Sequence, residues 1–139
     1  MKAKDLMSTN PEIISPQTTL KQAAEKMRDQ DIGFLPVGEN DRLVGAITDR
    51  DIVVRGIANG IEDVNASVKD VMTDEIRYCF ENDELDKVAD MMSKLQIRRL
   101  VVLNDNKRIT GIISLGDVAT KSQDSKLTGN VTKEISATT

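Results

Sequence analysis

Two pairs of residues in this chain of 139 have types and spacing that suit a small phosphorylated ligand: Thr48 with Asp51, and Ser114 with Asp117. Each hydroxyl follows an apolar run, Leu43-Val44-Gly45-Ala46-Ile47 in one case and residues 109–113 in the other. Such a run reads as a strand, and the hydroxyl after it stands where a helix opens. Free backbone N–H groups and the positive helix end favour an anion at that junction. The hydroxyl can cap the helix or donate to a phosphate oxygen. The carboxylate three residues on lies on about the same helical face, where it can accept both hydroxyls of a ribose. The pair therefore fits adenosine 5′-phosphate. The structural alternative is that Thr48 and Ser114 are N-caps and the two aspartates favourable first-turn charges. Caps are common, so either pair alone favours the cap; the presence of the pair twice counts toward a ligand.

Other chemistry is sparse. There is no His, the commonest general base and a frequent metal ligand. No metal-ligand spacing, Walker loop or serine-nucleophile elbow is present. Asp49 and Asp51 form a close carboxylate pair, but they flank Arg50 and would lie about 200° apart on a helix. The expectation is no enzyme, no metal and no required cofactor. Cys79, the one cysteine, excludes an intramolecular disulfide and suits a reducing cytosol. It reads as a small buried residue without an activating base or second thiol. The six Met read as core filler.

Net charge is −4 with Lys and Arg scattered along the chain, which argues against nucleic acid as a partner. With two Phe, one Tyr and no Trp, the core must be aliphatic. Residues 1–16 contain no apolar signal region, and no apolar run reaches membrane-spanning length. The expected location is cytoplasmic, with no membrane partner.

The elements that position both pairs are written twice. Lys4-Asp5-Leu6-Met7 returns as Lys69-Asp70-Val71-Met72, and Leu20, Ala24, Met27, Ile32, Leu35 and Val37 return as Leu85, Ala89, Met92, Ile97, Leu100 and Val102. After one inserted residue, Gly45-Ala46-Ile47-Thr48-Asp49-Arg50-Asp51 returns as Gly111-Ile112-Ile113-Ser114-Leu115-Gly116-Asp117. One repeat alone, about 55 to 60 residues, buries too little apolar surface for comfortable stability, so the halves are expected to pack together.

In the first repeat Glu12-Ile13-Ile14-Ser15 reads as a strand stopped by Pro16. Thr19 and Gln22 spell a capping box ahead of a helix carrying Leu20, Ala23, Ala24 and Met27. Two more strands flank the turn Glu39-Asn40-Asp41, and a helix from Thr48 ends near Gly56 or Gly60. The second repeat copies this with a strand over residues 76–80, a helix from Asp83, a hairpin over 100–113 and a helix capped by Ser114. The expected fold is α+β: two β-α-β-β-α repeats packed as a pseudo-two-fold pair. Repeat 1 spans residues 1–58, a linker 59–67, repeat 2 68–120, and a flexible tail 121–139 in which Leu127, Val131 and Ile135 dock weakly.

The Lys-Asp-Leu-Met lead-in, the Leu35-Pro36-Val37 strand and the doubled ending Gly-x-x-(Thr/Ser)-x-x-Asp resemble the tandem CBS-domain pair, or Bateman module, over about residues 3–120. The run 43–55 looks especially like the small stand-alone CBS-pair proteins of bacteria, some associated with stress or hypoxic responses. The resemblance implies two composite adenosyl sites in the cleft between repeats. In one, Ser114, Asp117 and Arg98 hold sugar and phosphate while Ile13, Gly33 and Phe34 line the adenine. The other uses Thr48, Arg50 and Asp51, with Tyr78 near the base and Arg98 or Arg99 at its edge. As adjacent strand residues, Arg98 and Arg99 are expected on opposite faces, with at most one toward the cleft. Many family copies carry a second hydroxyl just before the Asp; here Arg50 and Gly116 stand there. The implied function is a regulatory module sensing AMP, ADP, ATP, NAD or S-adenosylmethionine, working as a homodimer or through an effector protein. The alternative is a ligand-free dimeric scaffold or stress-response protein.

Overall fold

The computed structural model describes residues 1–121 and 125–136. Its elements are α1 (Ala3–Leu6), β1 (Ser8–Thr9), α2 (Leu20–Gln30), β2 (Phe34–Glu39), β3 (Arg42–Thr48), a π-helix (Asp51–Ile57) and a 3₁₀ turn (Val68–Asp70). There follow β4 (Tyr78–Phe80), α3 (Leu85–Leu95), β5 (Arg99–Leu103), β6 (Ile109–Ser114), α4 (Leu115–Lys121) and α5 (Ser125–Ser136). The fold is α+β.

The chain divides into two compact units, Glu12–Ile76 and Met1–Pro11 with Arg77–Thr139. The lead-ins therefore change places relative to the sequence boundaries, which put residues 1–11 with repeat 1. Ala3 and Leu6 are fully buried with Cys79, Val88, Met92, Leu100 and Ile113. Val68 and Val71 are buried with Ile14, Leu20, Leu35 and Ile47. Each short lead-in supplies two apolar side chains to its unit, residues 3–6 to one whose remainder begins at Arg77, and burial of that apolar surface holds it there.

The second-named unit contains a four-stranded sheet in the order β1-β6-β5-β4, parallel only between β4 and β5. The Glu12–Ile76 unit has the same plan with shorter edges: β2 pairs β3, Ile14 bridges Val37 in parallel, and Ala46 bridges Thr73. The strand expected over Glu12-Ile13-Ile14-Ser15 thus shrinks to a single bridge. Ile14 donates to Pro36 O at 3.1 Å and accepts from Gly38 N at 2.8 Å. Pro16, with no N–H, cannot extend it.

Local chemistry sets the helix starts. Thr19 Oγ1 accepts from Gln22 N at 3.1 Å, and Gln22 Oε1 accepts from Thr19 N at 3.0 Å. Helix α2 then buries Leu20, Ala23 and Met27, and it stops where Asp31 turns left-handed at φ 52°. Ala24 faces outward. Asp83 does not begin α3, because its carboxylate is held by Phe80 N at 2.9 Å, and Glu84 is the N-cap. The helix expected after Thr48 widens into a π-helix, with Ala58 N donating five residues back to Val53 O at 2.9 Å.

Residues 121–139, expected as a flexible tail, contain α5. It packs against α3 and α4 and places Ile135, 3 % exposed, in the core with Leu6 and Met92. The side chains of Leu127 and Val131 lie outside the described residues.

Candidate functional site

Strand β3 ends at Thr48 and β6 at Ser114, and at both ends the hydroxyl and carboxylate cap each other. Asp51 N donates to Thr48 Oγ1 at 3.1 Å, and Thr48 N donates to Asp51 Oδ2 at 2.9 Å. Asp117 N donates to Ser114 Oγ at 3.0 Å, and Ser114 N donates to Asp117 Oδ2 at 2.9 Å. The structural role foreseen for these pairs is therefore realised twice, and one oxygen of each carboxylate is committed to it. The second oxygens differ. Asp117 Oδ1 pairs with Lys121 Nζ at 3.3 Å, and that ammonium also donates to Leu6 O at 3.1 Å. Among the described residues Asp51 Oδ1 has no partner.

Register places the remaining candidates around these ends. In the Glu12–Ile76 unit Phe34 pairs with Thr48 across β2 and β3, and Asp49 N donates to Gly33 O at 3.1 Å. Arg50 is exposed, and Ile13 is half-buried one residue before the Ile14 bridge. In the other unit Arg99 pairs with Ser114 across β5 and β6, and Leu115 N donates to Arg98 O at 2.8 Å. Tyr78, on β4, stands edge-on to Phe80 with ring centroids 5.6 Å apart. Ile13, Gly33, Phe34, Thr48, Arg50 and Asp51 thus fall in one unit, and Tyr78, Arg98, Arg99, Ser114 and Asp117 in the other.

Beside Ser114 lies a cavity of about 430 Å³ lined by Arg98, Arg99, Ser114, Leu115, Gly116, Ala119 and Thr132. Both arginines are among its lining residues. Among the described residues neither guanidinium has a hydrogen bond or ion pair, and no carboxylate lines the cavity. Asp117 does not line it; its carboxyl group is turned to Ser114 N and Lys121. Arginine donors flanked by a hydroxyl and a glycine can hold an anion. Leu115, Ala119 and Thr132 were missed by sequence reasoning. For Thr132 a signal existed in the spacing of Leu127, Val131 and Ile135, which is helical.

Cys79 is 1 % exposed, and burial pushes its thiol up to about 12, with the Asp83 charge adding to the rise. It is a core residue. Among the described residues no group of three or more Cys, Asp or Glu side chains is placed to hold a metal. No described helix is long and apolar enough to cross a membrane.

Residues 3–56 and 68–124 each match the CBS domain, and the chain belongs to that family. It is 36 % identical over 118 residues to Hypoxic response protein 1 of Mycobacterium tuberculosis, covering 84 % of this chain and 82 % of that one. The crystal structure of Hypoxic Response Protein I with two coordinated zinc ions superposes with a TM-score of 0.76 over 86 % of this chain and 97 % of its own. The uncharacterized protein YlbB of Bacillus subtilis is 37 % identical over 138 residues, 97 % of this chain and 91 % of its own. The CBS domain pair of protein MJ0100, in complex with 5′-methylthioadenosine and S-adenosyl-L-methionine, matches at 28 % identity. Its TM-score is 0.75 over 86 % of this chain and 97 % of its own.

Proposed function

We propose that this chain is a regulatory CBS pair that binds an adenosyl ligand (AMP, ADP, ATP, NAD or S-adenosylmethionine) and has no catalytic step of its own. The observation that carries this reading is the cavity beside Ser114, where Arg98 and Arg99 have no acidic partner among the described residues. In this reading the two guanidinia and the Ser114 hydroxyl take the anionic end of the ligand, and Asp117 takes the ribose once Lys121 releases it. Ile13, Gly33 and Phe34 line the base. The Thr48, Arg50 and Asp51 set, with Tyr78, forms the second site. The adenosyl complexes of the MJ0100 pair support the ligand class.

A ligand that prefers one arrangement of the chain shifts the population toward it by its differential affinity. The output then passes to a homodimer or to an effector protein in the cytoplasm. The apolar Val53, Val54 and Ile57, exposed on the π-helix, support self-association. Similarity to Hypoxic response protein 1 supports a role in stress.

A second reading is favoured by the reciprocal caps: each hydroxyl and one oxygen of each carboxylate are already committed to capping, as in a ligand-free dimeric scaffold. Thermal melting with millimolar AMP, ATP and S-adenosylmethionine separates the two. A ligand at 100 times its dissociation constant stabilises by about 2.7 kcal/mol, while a scaffold shows no shift with any of them.

A further inference from the structure

The helix that follows the matched family segments forms a wall of the arginine cavity. The second CBS match ends at residue 124, and α5 begins at Ser125. Its Thr132 lines the same cavity as Arg98, Arg99 and Ser114. Among the described residues, the polar side chains that line it are all donors, two guanidinia and two hydroxyls. Gly116 leaves the backbone open, since a Cβ there would meet only Ser114 Oγ, at 3.5 Å.

Helix α5 is also poorly suited to stand alone. Twelve residues are marginal for an isolated helix. Gly129, in its middle with nothing within 4 Å of a Cβ, weakens it further. Its described anchor is Ile135, one turn beyond Thr132 and buried among Leu6, Val88 and Met92. An element held by contacts of this kind responds to whatever fills the space it covers.

We propose that α5 is a ligand-coupled wall of the Ser114 half-site: Thr132 donates to a phosphoryl group held by Arg98 and Arg99, so that occupancy and docking of α5 strengthen each other. This rests on the reading of that half-site as an anion site. It makes α5 the part of the chain through which bound phosphate is reported, and it makes Thr132 a determinant of selectivity for phosphorylated over unphosphorylated ligands.

The test is amide hydrogen exchange of residues 125–136 in the full chain, with inorganic pyrophosphate, AMP or adenosine, alongside calorimetric affinities. Pyrophosphate and AMP, each at 100 times its dissociation constant, should slow exchange in α5 by up to about 100-fold. Adenosine should not slow it. Thr132→Val should weaken pyrophosphate binding about ten-fold, Thr132→Ser should restore it, and Arg98→Gln with Arg99→Gln should abolish it. Calorimetric binding of AMP with unchanged α5 exchange and wild-type affinity in Thr132→Val overturns the role of α5 while leaving the anion site standing. Failure of pyrophosphate, AMP and S-adenosylmethionine all to bind overturns both.

Discussion

The carboxylate of Asp49 lies against the Cα of Gly33, so that a Cβ at Gly33 would sit 2.7 Å from Asp49 Oδ2 and 3.0 Å from its Cγ. The equivalent pair in the second repeat is Leu115 and Arg98, joined by the same backbone bond from the later residue to the earlier. Duplication has thus kept the backbone and reversed the charge, acidic beside Thr48 and basic beside Ser114. The Asp49 side chain is exposed and can swing away. Gly33→Ala should therefore cost less than about 1 kcal/mol, and Asp49→Ala should erase that cost in a double-mutant cycle. Urea midpoints measure both.

Gly45 and Gly111 are different. A Cβ at Gly45 would lie 2.6 Å from Thr73 O, and one at Gly111 would lie 2.7 Å from Ser8 O and 2.5 Å from Met7 Sδ. These carbonyls belong to strand pairing and cannot move alone. Gly45→Ala and Gly111→Ala should each destabilise by about 2 kcal/mol or more, well beyond Gly33→Ala in the same denaturation series.

Ile135→Ala tests whether α5 belongs to the folded core. A residue on a loose tail would lose almost nothing. An isoleucine 3 % exposed among Leu6, Val88 and Met92 should lose about 2 to 4 kcal/mol, read as a lower urea midpoint.

These elements show what a single sequence discloses. The Thr19–Gln22 capping box, the hairpins and the reciprocal Thr48–Asp51 and Ser114–Asp117 pairs are local, so three-residue spacing reveals them. The exchange of lead-ins is not local. Leu6 and Val71 carry the same apolar signal wherever they pack, and only tertiary burial assigns each to its unit. The cavity that Arg98 and Arg99 share is not local either, since Ala119 on α4 and Thr132 on α5 complete its lining. The wall that Thr132 adds was hidden because a polar stretch read as tail masked a helical spacing.

Cys79 gives a pH signature. Its folded-state thiol is raised to about 12 from an ordinary 9.0, so the fold prefers the neutral form. The sign follows: this contribution is complete below pH 9 and is lost as pH rises through the folded value. Over that window stability should fall by at most about 4 kcal/mol from this group. Cys79→Ala should flatten that alkaline slope in urea melts collected from pH 8 upward, whatever its cost at neutral pH.

The most direct measurement of the central claim is isothermal titration of the full chain with AMP, ATP and S-adenosylmethionine, repeated in Arg98→Gln and Asp117→Ala. The account predicts saturable binding of at least one of these, weakened about ten-fold or more when Arg98 loses its charge. It also predicts a thermal shift of roughly 10 °C at 100 times the dissociation constant. No heat and no shift with any of the three, or binding indifferent to both substitutions, would contradict it.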